Sequence, residues 1–162
     1  MHYSNPAQNN WFTTTSVCDW YGITCEEESG RVNQLLLNKS NLVGFIPPTL
    51  GNMTKLVRID LGRNSLSGNI PPELANLPNL QSFWVKDNLL SGPLPPEFVN
   101  LSNLLDLNIS DNPSMSGGLP LGLTDLPLRV LHFKNTAVCT PNDPAFQQWL
   151  NTLEVWGRLT CP

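Results

Sequence analysis

The chain is 162 residues long and 40% hydrophobic, enough for one compact domain with a real core and too little for two large ones. Only 14% of residues are charged and the formal net charge is -4, so no basic field exists to hold nucleic acid or an acidic membrane by counterion release. Nothing approaches 18 consecutive apolar residues, which argues against direct membrane insertion of this fragment; the opening "MHYSNPAQNN" lacks the basic start and apolar run of a signal peptide and reads as a soluble mature region given a new Met1.

Along the chain, the first landmark is the close pair Cys18 and Cys25, and its counterpart near the other end is Cys139 with Cys161. No Cys-x-x-Cys occurs, and the two histidines, His2 and His132, stand apart from the cysteines. Disulfides in an oxidising compartment are therefore expected, with no metal and no cofactor.

From Val32 the chain repeats itself. "LVRIDLGRNSLSGNIPPELANL" at Leu56 recurs as "LQSFWVKDNLLSGPLPPEFVNL" at Leu80, a shift of 24, and weaker copies begin at Val32, Leu104 and Leu128. Five units at one period mean a solenoid, in which no coil can hide its apolar side without a neighbour. In the clearest unit Leu56, Ile59 and Leu61 precede Asn64, Leu66, Gly68, Ile70 and Pro71. The alternation makes a short strand with Ile59 and Leu61 inward and Arg58, Asp60 and Gly62 outward, and stacked coils pair these strands in parallel.

Asn64, Asn88 and Asn112 recur at one place, where a buried amide can satisfy backbone groups as the chain turns away, with Ser40 and Thr136 substituting at the ends. Gly68 and Gly92 admit backbone angles closed to other residues, while the prolines at 47, 48, 71, 72, 95, 96 and 120 hold the outer side extended. "NPSM" at Asn112 to Met115 carries one extra residue and the following return is one shorter, so the fourth coil should bulge without losing the period. Past the repeats, Asp143 before Pro144 predicts a helix start, and Phe146, Trp149, Leu150 and Leu153 form one apolar stripe on a lid.

The unit Leu-x-x-Leu-x-Leu-x-x-Asn-x-Leu-x-Gly-x-Ile-Pro resembles the plant-type leucine-rich repeat over Val32 to Val138. "CDWYGITC" resembles the cap that precedes such repeats, and "CTPNDPAFQQWLNTLEVWGRLTC" the cysteine-closed helical cap of secreted members. The leucine-rich helix that usually leads into the first cap is missing. The resemblance implies an α/β solenoid: a right-handed coil of about five repeats with a parallel β-sheet on the concave face and disulfide-closed caps at both ends. The expected divisions are 1–31 for the N-terminal cap, 32–138 for the repeats and 139–162 for the C-terminal cap. Four cysteines allow three pairings; five strands at ~4.8 Å spacing put the ends roughly 20 Å apart. A disulfide spans about 7 Å between α-carbons at most, so Cys18 should bond Cys25 and Cys139 should bond Cys161.

For function, the expected inner face carries a middle column of Leu36, Asp60, Trp84, Asn108 and His132, with Arg58 and Asp106 on one flank and Lys86 on the other. Trp84 ringed by charges has the composition of an interface hot spot, or else it merely covers aliphatic neighbours. The candidate ligand residues are Arg58, Asp60, Trp84, Lys86, Asp106, Asn108 and His132. Catalysis is not expected: Asp60 and His132 lie three rungs apart, roughly 14 Å, beyond the reach of general acid-base partners.

A five-stranded face covers a few hundred Å², less than the about 800 Å² per partner of a stable interface, so a protein partner would also touch an edge or cap, whereas a peptide or an oligosaccharide would fit the face alone. Sequons occur at Asn38, Asn52, Asn100 and Asn108; Asn52 and Asn100, in the outer returns, are the expected glycosylation sites. Receptor ectodomains and polygalacturonase-inhibiting proteins share the repeat, which implies a secreted or cell-surface recognition module, expected to be monomeric. The alternative is a structural spacer or matrix element with no specific inner-face ligand.

Overall fold

The computed structural model describes residues 2–3, 16–157 and 160–161. The alternating apolar pattern forms five short strands, β3 (Val32–Leu36), β5 (Arg58–Asp60), β7 (Ser82–Trp84), β9 (Asp106–Asn108) and β11 (Val130–His132). They pair in parallel without a slip: Leu35 faces Ile59, Ile59 faces Phe83, Phe83 faces Leu107 and Leu107 faces Leu131. Two further strands extend this inner sheet to seven. β2 (Ile23–Cys25) lies antiparallel to β3, and β13 (Glu154–Trp156) lies parallel to β11. The face is therefore about 29 Å across at ~4.8 Å per strand, wider than five repeats alone would make it.

A second sheet runs down an adjacent side. It contains β4 (Leu42–Gly44), β6 (Ser65–Asn69), β8 (Leu89–Gly92), β10 (Ser114–Gly118) and β12 (Ala137–Cys139), with the two-residue β1 (His2–Tyr3) antiparallel at its end. Here the fourth coil's extra residue is visible. Ser67 pairs with Leu89, an offset of 22; Ser91 pairs with Ser114, an offset of 23; Ser116 pairs with Ala137, an offset of 21. The insertion is taken up and cancelled on this side, so the inner strands keep their register.

The third side consists of 3₁₀ turns at Pro48–Asn52, Pro72–Asn76, Pro96–Asn100 and Leu121–Asp125, each entered through an extended proline at 47, 71, 95 or 120. In the first three turns the second proline occupies the opening helical position, where its missing N–H is no loss. Leu50, Leu74, Phe98 and Leu123 point from these turns into the core, and Phe98 meets Phe83 of β7 edge-on with ring centroids 5.5 Å apart. A buried Leu or Phe contributes roughly 1.5–3 kcal/mol relative to exposure, so the stack is held by this continuous column of side chains.

The asparagines form a ladder from coil to coil. Asn88 accepts a hydrogen bond from Leu66 N and donates to the carbonyls of Leu61, Val85 and Lys86; Asn112 does the same toward Leu90 N and the carbonyls of Val85, Ile109 and Ser110. Asn64 accepts from Ser40 N and Leu42 N. At the C-terminal end Thr136 serves in miniature, donating to Phe133 O and accepting from Val138 N. Ser40 differs: its Oγ is buried without a partner, because Asn64 of the next coil already serves its backbone.

Immediately before each ladder position stands a residue in the left-handed region: Lys39, Arg63, Asp87, Asp111 and Asn135, with φ between 55° and 57°. None is glycine, and such a backbone costs a non-glycine residue roughly 1–2 kcal/mol. The ladder bonds that follow hold it there. Gly68 and Gly92 supply two further left-handed bends, at φ 78° and 73°.

Both ends are closed by disulfides. Cys18 bonds Cys25 with α-carbons 5.5 Å apart, and Cys139 bonds Cys161 at 5.0 Å. The helix α1 (Pro144–Leu150) is capped by Asp143, whose carboxylate accepts from Phe146 N at 2.8 Å, and it buries Phe146 and Leu150 over the last coil. Trp149 and Leu153 pack partly buried against the same core.

Candidate ligand-binding face

Parallel pairing at constant offset brings residues 24 apart into columns across the strands. Leu36, Asp60, Trp84, Asn108, His132 and Trp156 form the middle column, and Gln34, Arg58, Ser82, Asp106, Val130 and Glu154 one flank. The outward positions are not all open. Gly62, Ser82 and Ser110 are buried beneath neighbouring side chains. At Gly62 a Cβ would stand 2.8 Å from Asn38 Nδ2 and 3.2 Å from Lys86 Cγ, so glycine is what lets the Lys86 stem lie across the sheet.

Five of the seven candidate residues converge. Trp84, Lys86, Asp106, Asn108 and His132, together with Val130, line one shallow depression of about 250 Å³. Arg58 stands outside it, with its guanidinium 5.4 Å from the centroid of the Trp84 ring, a cation–π contact. Asp60 is also outside. Its Oδ1 accepts from Asn38 Nδ2 at 3.2 Å and from Gly62 N at 3.0 Å, which ties it to the sheet.

Within the depression the polar groups are ordered by one another. Asn108 Oδ1 accepts from Ser110 N at 3.1 Å, which turns its amide nitrogen toward His132 Nδ1, 3.4 Å away. That orientation assigns Nδ1 as acceptor and places the proton on Nε2. His132 Nε2 lies 3.4 Å from Glu154 Oε1 without hydrogen-bond alignment, a close approach rather than a bond. Asp106 Oδ2 accepts from Ser82 Oγ at 3.1 Å. Among the described residues Arg58, Lys86, Asp106 and Lys134 belong to no salt bridge, so their charges are not spent inside the fold.

Trp156, absent from the candidate residues, completes the column. It is 58% exposed and stacks on His132 with centroids 5.0 Å apart and planes 29° apart. The signal that finds it is the period itself, since 156 follows 132 by one repeat length across an intervening helix. Of the sequons, Asn52 and Asn100 are exposed, whereas Asn38 and Asn108 are half-buried and hydrogen-bonded on the inner face.

A stack of coils with one parallel strand, a buried asparagine and a proline-led return per coil defines a leucine-rich-repeat solenoid. Residues 1–26 match the leucine rich repeat N-terminal domain, and residues 55–77 and 79–101 each match the leucine rich repeat. The BIR2 ectodomain of Arabidopsis thaliana is 35% identical over 85% of this chain and 73% of its own, with a TM-score of 0.75. The chain belongs to the plant-type leucine-rich-repeat family. The ectodomain of the A. thaliana receptor kinase GASSHO1/SCHENGEN3, solved in complex with CASPARIAN STRIP INTEGRITY FACTOR 2, is 28% identical, with a TM-score of 0.78 over 88% of this chain and 20% of that one. A probable LRR receptor-like serine/threonine-protein kinase of A. thaliana is 38% identical over 33% of this chain, and the match spans only 5% of that relative's length. The fold is thus that of receptor ectodomains, and no helix among the described residues is long and apolar enough to cross a membrane.

Proposed function

We propose that the chain is an extracellular, non-catalytic recognition module that binds a peptide or a peptide-like segment of a protein through its concave face. The carrying observation is the convergence of Trp84, Lys86, Asp106, Asn108 and His132 on one depression, where Lys86 and Asp106 form no salt bridge among the described residues. Such a site joins an apolar anchor to a polar rim. Two disulfides suit an oxidising compartment, and the likeness to a receptor-kinase ectodomain solved in complex with CASPARIAN STRIP INTEGRITY FACTOR 2 supports the reading. At about 29 Å by four residues of strand, the face still falls short of about 800 Å², so a folded protein partner would engage the edges or a cap as well. Glycans at exposed Asn52 and Asn100 would leave the face clear.

Selection from a displayed random-peptide library tests this directly. Peptides recovered on the wild type should bind Trp84→Ala about 30-fold more weakly, the loss of one hot-spot anchor of about 2 kcal/mol. Selected peptides that bind both proteins equally would place recognition elsewhere, or leave the chain a spacer.

A further inference from the structure

Four flat side chains stand in file along the solenoid axis, and one place in the file is empty. Arg58 lies on one face of Trp84; at the other end Trp156 lies on one face of His132. In the middle column only Asn108, which is no ring, stands between Trp84 and His132, and there the depression opens. Two rungs at ~4.8 Å separate the walls by roughly 9.6 Å. Ring centroids in an aromatic contact lie about 4.5–7 Å apart, so one ring inserted between Trp84 and His132 would contact both.

We propose that this slot is the pocket for a neutral aromatic side chain, a tyrosine or phenylalanine, of the peptide that the concave face binds; the inference rests on the recognition reading above. Three observations select this occupant. The charges around the slot are balanced, with Arg58 and Lys86 against Asp106 and Glu154, so no net charge there selects an ionic occupant over a neutral one. A cation is disfavoured, because Arg58 already covers the far face of Trp84 and Lys86 flanks the near one. A pyranose needs partners for several hydroxyl groups at once, whereas the floor is partly used: Asn108 gives its oxygen to Ser110 N and one N–H to His132 Nδ1, and Asp106 Oδ2 is held by Ser82, which leaves polar groups at the rim for about one hydroxyl. Val130 adds an apolar side wall suited to a ring edge. A tyrosine hydroxyl would meet Lys86 or the remaining oxygen of Asp106 at the rim.

The test titrates the whole chain, ¹⁵N-labelled, with N-acetyl-L-tyrosinamide while the Trp84 and Trp156 indole N–H resonances are followed. N-acetyl-cyclohexylalaninamide, N-acetyl-L-argininamide and cellotriose are run in parallel. The aromatic probe should shift Trp84 and the Asn108 and His132 amides, and should bind about 2- to 13-fold tighter than the cyclohexyl probe, the worth of aromatic pairing beyond burial. Trp84→Ala and His132→Ala should each remove these shifts while keeping the wild-type amide pattern in distant coils. If Trp84→Ala does not fold, His132→Ala alone decides between the outcomes. Equal binding of the cyclohexyl probe, or preference for the argininamide or the sugar, overturns the aromatic slot but leaves concave-face recognition intact if library peptides still distinguish Trp84→Ala. Library peptides indifferent to Trp84 overturn the recognition reading itself.

Discussion

The two ends of the solenoid are sealed by different means, and the difference separates a stopper from a working surface. At the N-terminal end β2 runs antiparallel to its neighbour, with a bulge at Thr24 and Cys25, and leaves the 24-residue columns. Gly22 sits tight against that neighbour: a Cβ there would stand 2.4 Å from Leu36 O. At the C-terminal end β13 keeps parallel register with β11, so Glu154 and Trp156 occupy the next places in the same columns as Asp106 and His132. Leaving the register ends the columns, whereas keeping it prolongs them by one rung.

The disulfides give the strongest way to break this comparison. Cys139 and Cys161 close a loop across 22 positions, and Cys18 and Cys25 one across 7. In the chain-entropy picture their loss costs about 3.4 and about 2.5 kcal/mol. Urea denaturation of the paired Cys→Ser variants should show that order. More tellingly, Trp156 indole exposure should change only in the Cys139/Cys161 variant. Equal disturbance of Trp156 by both would mean that the ends are not independent.

A milder intervention removes only the helix cap. Asp143→Ala deletes the carboxylate that accepts from Phe146 N, an expected loss of about 1 kcal/mol, with β13 and the indole resonance of Trp156 unmoved. The smallest effect lies at the other end. The Ser29 hydroxyl first, and then Lys55 by hydrogen bond and charge, holds the Glu26 carboxyl below its ordinary range. A depressed carboxylate stabilises the fold above its ordinary pKa and ceases to do so as pH falls through the lowered value. Glu26→Gln should therefore melt slightly below the wild type at pH 7, and the gap should close in acid.

Most of the coil was legible because the same requirement returns every 24 residues: Ile59, Phe83 and Leu107 inward, Asn64, Asn88 and Asn112 under the turn, paired prolines outside. The left-handed positions were not. Lys39, Arg63, Asp87, Asp111 and Asn135 have no one residue type in common, since the ladder imposes their backbone from next door. Strand β13 was hidden because "EVW" follows a helix and lacks the leucine signature, and with it went Trp156. Nor could a pattern of inward and outward positions reveal that Gly62 and Ser82 lie beneath their neighbours, which depends on where the side chains of Lys86 and Asp106 come to rest.

The surplus residue at Asn112 to Met115, absorbed on one flank while Leu107 and Leu131 still meet squarely, shows that length changes on the outside are decoupled from the inner strands. That junction is accordingly the natural splice point of the molecule: a foreign epitope or reporter loop grafted there would ride on the exterior, and the spacing of the tryptophans across the concavity would not register its presence.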